Sequence, residues 1–255
     1  MDHRNRWAWT RSMSAIGFIT LCPLLSQAQN LPMQDAGAWR FQVTPYVWMI
    51  GMNGHVQPAA GLPSLHVDKS FSEIWDSLDA AFFLNATARK DRWVVHGDMS
   101  HAVTSDAAAL PIGLTAQAKI KQTSVSMLGG YTWLQAPQTA VDVMAGVRWW
   151  SIRAQVQVPS ILQASSNTTF ADPVIAVRWH QDWAPRWSTV VYGDVGGFGV
   201  GSRQTWQALV TLNYQITPQA YVSVGYRHLS VDYRKNGKTL DFSMAGPMLG
   251  ATWRF

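Results

Sequence analysis

From about residue 38 to its end the chain alternates apolar and polar side chains with a period of two, which places them on opposite faces of extended strands. In the first such segment, about Ala38 to Met49, Trp39, Phe41, Val43, Pro45 and Val47 share one face, and Arg40, Gln42, Thr44 and Tyr46 the other. A second, about Ala80 to Arg89, sets Phe82, Leu84, Ala86 and Ala88 against Phe83, Asn85, Thr87 and Arg89. The third, about Arg92 to Thr104, sets Trp93, Val95, Gly97 and Met99 against His96, Asp98 and Ser100. Further segments follow at about Ala116 to Trp133, Thr139 to Val158, Thr169 to Trp183, Arg186 to Gly196, Gln204 to Gln215, Ala220 to Tyr233 and Thr239 to Phe255. The pattern therefore predicts ten strands and an all-β fold.

Connector lengths give the strands a direction. Lys90-Asp91, Leu134 to Gln138, Ala184-Pro185 and Thr217 to Gln219 are short and follow even-numbered strands. The long connectors, Ile50 to Asp79, Ser105 to Thr115 and Pro159 to Thr168, follow odd-numbered strands, while those around Gly197 to Arg203 and Arg234 to Lys238 are short. An even number of antiparallel strands with short turns at one end and longer loops at the other is the plan of a closed transmembrane β-barrel, with both termini on the periplasmic side. Trp93, Trp133, Trp183, Trp187 and Trp253 fall beside the short turns or the terminus, where a barrel carries an interfacial aromatic girdle. The lipid-facing parity of these tryptophans favours the girdle over a carbohydrate-binding platform. In the first long connector, Ser70 and Glu73 have capping-box spacing ahead of Ile74, Trp75 and Leu78, which predicts a short helix over or in the barrel mouth, or on its surface.

Composition agrees with this pattern. Of 255 residues 47% are hydrophobic and only 14% charged, with 14 Trp and 19 Gly. The charge deficit excludes a disordered tail, a coiled coil or a charged nucleic-acid-binding arm. Mean hydropathy is nevertheless close to neutral, at -0.05, and no mature segment has the roughly 20 apolar residues of a membrane helix. Residues 1–28 read as a cleaved signal peptide: Arg4, Arg6 and Arg11 form a basic region, Met13 to Leu25 is mostly apolar, and Ser26-Gln27-Ala28 offers small residues for cleavage before Gln29. A short membrane anchor is the alternative, but the apolar stretch is short and broken by Pro23. Residues 29–37 would form a periplasmic segment and 38–255 the barrel. Losing the signal removes the single Cys22, and with Arg4, Arg6, Arg11 and Asp2 gone the formal charge falls from +5 to +3. The mature chain thus has no thiol chemistry, and its scattered Lys and Arg form no nucleic-acid patch.

The terminal strand places Leu249, Ala251, Trp253 and Phe255 on one face and Gly250, Thr252 and Arg254 on the other. It resembles the last strand of bacterial outer-membrane barrels, which the barrel assembly machinery recognises, so Trp253 and Phe255 are the expected assembly signal. A soluble periplasmic sandwich is the competing fold, and it fails if the outward residues form a continuous apolar belt. The stretches WRFQVTPYVWMIGMNG from Trp39, SFSEIWDSLD from Ser70, ARKDRWVVHGD from Ala88, GDVGGFGVGSRQTWQ from Gly193, GYRHLSVDY from Gly225 and GPMLGATWRF from Gly246 together resemble a widespread family of small proteobacterial outer-membrane β-barrel proteins, described as porin-like and functionally uncharacterised. The resemblance spans nearly all of the mature chain and implies a Gram-negative outer-membrane location, but it brings no catalytic residues. Thr87 stands where the family often has an acidic residue and His228 where an aromatic is usual.

Inward parity falls on Arg40, Arg89, His96, Asp98, Asp142, Arg148, Asp172, Arg178, Tyr192, Asp194, Gln207, Asn213, Arg227 and Arg254. Ions inside a narrow barrel must be paired or hydrated, because desolvation costs several kcal/mol each. Arg and Asp at matching depths are therefore expected to form cross-strand pairs, either as a structural network or as the lining of a narrow path for a small solute or ion. The enzyme alternative is a rim site. A protease of the omptin type would need Asp pairs and a His-Asp couple, for which His96, His101, Asp98 and Asp194 are the candidates. A lipid-modifying site cannot use Ser100 with His101, since neighbours in a strand point opposite ways. Gly196 to Ser202 is Gly-rich but lacks the Lys and the following helix of a phosphate loop, and reads as a tight outer hairpin. No two of the seven His have metal-ligand spacing, and no metal or cofactor is expected.

Overall fold

In the computed structural model, residues 37–57, 64–110, 114–158 and 162–255 are described. The expected signal peptide and most of the segment 29–37 lie outside the described residues. The strands are β1 (Arg40–Trp48), β2 (Gly51–Gln57), β3 (Leu65–Lys69), β4 (Leu78–Lys90), β5 (Trp93–Leu110), β6 (Leu114–Gln135), β7 (Thr139–Val158), β8 (Leu162–Ala184), β9 (Trp187–Gly196), β10 (Gln204–Gln215), β11 (Ala220–Lys235) and β12 (Lys238–Arg254), with one helix, α1 (Phe71–Asp76), between β3 and β4. All pairings are antiparallel between neighbours. The sheet closes when β1 pairs with β12, giving a ring of β1 and β4 through β12, which is ten strands. The closing seam reaches the last residue, where Phe255 donates its N–H to the Phe41 carbonyl at 2.9 Å.

Two of the ten barrel positions are interrupted. β2 continues the line of β1 along β12, and β3 pairs with β2 as β4 pairs with β1. The long first connector is thus largely a β-hairpin. Within the connectors expected at Ser105 to Thr115 and Pro159 to Thr168, the described residues are likewise strand, since β5–β6 and β7–β8 stay in register to Leu110–Leu114 and Val158–Leu162. The small and polar residues that read as loop belong to strands that have left the membrane.

Around the ring the outward positions are apolar. On β7 they are Val141, Val143, Ala145, Val147 and Trp149, and on β11 Val222, Val224 and Tyr226, most of them well exposed. A soluble protein does not leave so continuous an apolar surface to water, and the soluble-sandwich alternative fails on this belt. The five girdle tryptophans are all exposed beside the turn end, Trp133 the most at 77%.

Past the belt the faces exchange character. β7 turns Ser151, Arg153, Gln155 and Gln157 outward while Trp150 faces in, fully buried. On β11 and β12 the outward residues become Ser230, Asp232, Asp241 and Ser243, and the inward ones Leu229, Val231, Phe242 and Met244. Inside hydrocarbon the apolar side must face out; beyond it, in water, the same barrel needs an apolar interior.

Helix α1 sits on the surface with none of its residues buried, which settles the alternative left open by its sequence. Ser70 caps it: the Glu73 N–H donates to Ser70 Oγ, and the Ser70 N–H donates to Glu73 Oε2 at 2.8 Å. The helix occupies the wall between β3, whose far edge has no strand partner, and β5. Polar contacts span this gap, Ser105 N–H to the Ser77 carbonyl at 2.8 Å and Lys69 to Asp106 at 2.5 Å, and beside it Lys119 of β6 reaches Asp79 of β4 across β5 at 3.0 Å. Hydrogen bonds from Ser70 hold Glu73 below the usual carboxylate range, those from Ser105 and Lys119 do the same for Asp79, and Lys69 does so for Asp106.

Two expectations follow. Deleting Phe255 removes the last bonds of the seam, and the heat-modifiable folded band on electrophoresis should fall strongly; an unchanged band would contradict a closing role. The three depressed carboxylates contribute stability above the unfolded carboxylate range and lose it as pH falls through their lowered values. Acidification towards about pH 3 should therefore lower the hydrogen-exchange protection of backbone amides around 69–79, measured against their intrinsic rates at the same pH, before it affects β6 to β8.

Candidate functional site in the barrel lumen

The inward polar residues lie within the level of the apolar belt, and most of them meet. Three clusters fill the bore. In the first, Asp142 on β7 accepts from Arg89 on β4, with Arg89 Nη1 at 3.0 Å from Oδ1, and from Arg178 Nε on β8 at 3.0 Å. Thr132 donates to the same carboxylate at 2.8 Å. Arg178 Nη1 donates to Thr87 at 3.1 Å, and His96 is held between Thr87 and Asn85 at 3.2 and 3.3 Å. In the second, Arg148 on β7 grips Asp194 on β9 with two parallel bonds of 3.1 and 2.6 Å, donates through Nε to Ser126 at 2.9 Å, and Tyr192 donates to Asp194 at 2.7 Å.

The third cluster spans the bore. Arg227 on β11 donates to Asp98 on β5 at 2.9 Å, to Gln207 Oε1 at 2.6 Å and to the Tyr46 hydroxyl, while Tyr46 donates to Asp98 at 3.0 Å. The Arg227 guanidinium lies 4.7 Å above the Trp48 ring. Asp98 and Arg227 stand four strands apart around a ring of ten. Strands this far apart can share an ion pair only if the side chains reach through the axis of the barrel.

Cross-strand pairing, as expected from depth, describes only Asp142 with Arg178, which are register partners. The other pairs join strands two to four places apart, because inside a closed cylinder an Arg reaches across the bore as easily as to its neighbour. Asp172 departs further. It faces Arg148 in register, yet it accepts from the Ser202 N–H at 2.6 Å and the Ser202 hydroxyl at 2.9 Å. The Gly197 to Arg203 connector is therefore no tight hairpin: it folds inward over β8, and a Cβ on Gly201 would overlap the Ala171 carbonyl and Asp172. Arg40 stays exposed at the turn end, outside the three clusters. Arg254 stacks on Tyr221 at 4.0 Å, outside the three clusters, and Asn213 bonds Ser188. Parity alone could have found Tyr46, Thr87, Ser126 and Thr132; nothing in the sequence marked Ser202.

On the outer side of these ions lies an apolar plug of Tyr46, Trp48, Phe83, Trp150, Phe170, Tyr233 and Phe242 with Leu229, Val231 and Met244. A cavity of about 470 Å³ lies at the opposite, turn end, lined by His180, Asp182, Arg186, Tyr221 and Arg254 among others. None of the rim-site candidates reaches it: His96, Asp98 and Asp194 are closed off by their partners, and His101 bonds Thr123 on the outward face. Among the described residues no three His, Cys, Asp or Glu side chains are placed to hold a metal ion.

No family model matches the chain, and no curated protein matches its sequence. Among solved structures the chain is similar to the translocator domain of the autotransporter NalP of Neisseria meningitidis, at 11% identity over 88% of this chain and 91% of that one with a TM-score of 0.49; to the outer-membrane protease OmpT of Escherichia coli, at 10% over 86% and 94% with 0.48; and to Ail, the attachment invasion locus protein of Yersinia pestis, at 13% over 85% and 98% with 0.39. What defines the class is the chain's own closed sheet and apolar belt. The protein is an integral β-barrel of the bacterial outer-membrane type.

Removing one partner of a buried ion pair strands the other charge and costs about 3–5 kcal/mol, whereas replacing both with apolar groups is close to neutral. Asp194→Ala should lower the unfolding midpoint in detergent sharply, and Arg148→Met combined with Asp194→Leu should recover most of the loss. Equal destabilisation by single and double variants would mean that the pair is not a unit.

Proposed function

We propose that the chain is a porin-like outer-membrane barrel in a closed, structural state, a rigid support for the hairpins it carries beyond the membrane. The observation that carries this reading is the filling of the bore in series. At membrane depth Arg89 and Arg178 share Asp142, Arg148 pairs with Asp194 and Arg227 with Asp98, Asp172 is held by Ser202, and the aromatic plug lies outside them. A conducting pore needs wall charges left hydrated for a passing solute; here each of these carboxylates is engaged by protein donors. A narrow ion or small-solute path would require the Arg227–Asp98 bridge and the plug to move together.

The same closure weighs against the enzyme reading, since catalysis requires a base with access to substrate. His96 and Asp98 have no open cleft. Membership of the small proteobacterial family, delivery by a signal peptide, and recognition of Trp253 and Phe255 by the barrel assembly machinery belong to the same reading, as does surrounding outer-membrane lipid. No nucleic-acid partner and no cofactor form part of it.

Planar-bilayer recording of the purified protein tests the proposal. The wild type should show no stable unitary conductance, and steady channels without substitution would replace the closed state with a transport role.

A further inference from the structure

The fold does something with two histidines that their spacing did not announce. His55 on β2 and His66 on β3 are eleven positions apart in sequence but direct register partners in the hairpin. Both are exposed on its outward, polar face, and their ring centroids lie 4.8 Å apart at 46°. This separation has chemical meaning. With metal–nitrogen bonds of about 2.0–2.1 Å and the ring centre roughly 1.1 Å further out, two imidazoles on one ion at angles of about 90–109° have centroids some 4.5–5.2 Å apart.

We propose that His55 and His66 form a two-imidazole site for a late first-row divalent metal ion, of the class Cu²⁺, Ni²⁺ or Zn²⁺, on the outer hairpin. Imidazole nitrogen is the ligand type these ions prefer, whereas Mg²⁺ and Ca²⁺ prefer oxygen. Two ligands from the chain leave the remaining positions to water, so the site is an open chelate. Its surroundings favour a cation: Asp241 of β12 is the register partner of His55, and Asp68 lies two residues from His66 on the same face. Gly54, beside His55, lets β12 come this close, since a Cβ there would overlap the Asp241 carbonyl. The ion would have a structural effect as well. β3 is bonded to β2 on one side only, beside helix α1, and a chelate across the hairpin would pin its register.

The test uses the tag-free mature protein, folded in detergent micelles and titrated with Cu²⁺ under electron paramagnetic resonance. One equivalent should bind with coupling to two nitrogens. His55→Phe and His66→Phe, which keep the ring contact but lose the ligand, should each weaken binding by at least ~100-fold, the scale of a lost chelate. His180→Phe should leave it unchanged. Wild-type affinity in both Phe variants, or coupling to a single nitrogen, overturns the proposal. Should a variant fail to give the heat-modifiable band, wild-type protein decides the matter: bound Ni²⁺ should shield His55 and His66 together from imidazole acylation while His180 still reacts, and reaction of either shielded residue at its unprotected rate would refute the site.

Discussion

The structure depends on one constraint: in hydrocarbon, every backbone N–H and C=O must find a partner within the protein. A sheet meets it only by closing on itself, and here closure falls between β1 and β12, the first and last strands of the ring. The bonds between Phe41 and Phe255 at the turn end show how completely the requirement is followed. Where it lapses, the chain has left the belt. The strand lines broken at Met49-Ile50 and at α1 belong to the outer part, where water and charged side chains serve the exposed backbone.

Closure creates a second problem, an interior that must be filled. Ten strands enclose a bore narrow enough for side chains to meet across it. The chain fills the membrane level with ions rather than hydrocarbon, and the desolvation this entails is offset by dense hydrogen bonding. Arg148 uses its whole guanidinium edge on Asp194 and Ser126, and Arg227 reaches Asp98, Gln207 and Tyr46 at once. Arg178 is the incomplete member, with one nitrogen, Nη2, buried and lacking a protein partner.

Polarity then organises the barrel along its axis. At membrane depth the lumen is polar and the wall apolar, and beyond the belt the two exchange. This inversion lets β5 through β8 run on as ordinary water-facing sheet, with a core built from Trp150, Phe170 and Phe242. It also explains why polar-rich stretches such as Ser105 to Thr115 read as loops: with lipid gone, small and polar residues stand on faces that had earlier been apolar.

Ten strands, their facing, the closed sheet, the capped helix and the inward Arg and Asp were all legible in the sequence, because alternation is a local property and the physical demands of lipid and lumen differ at every second residue. The tertiary structure alone decided which charge meets which. Arg227 with Asp98, Asp172 with Ser202 and His55 with His66 are set by curvature, by a folded connector and by a hairpin register. None of these is encoded in spacing along the chain, since each depends on how far apart the walls stand once the sheet has closed.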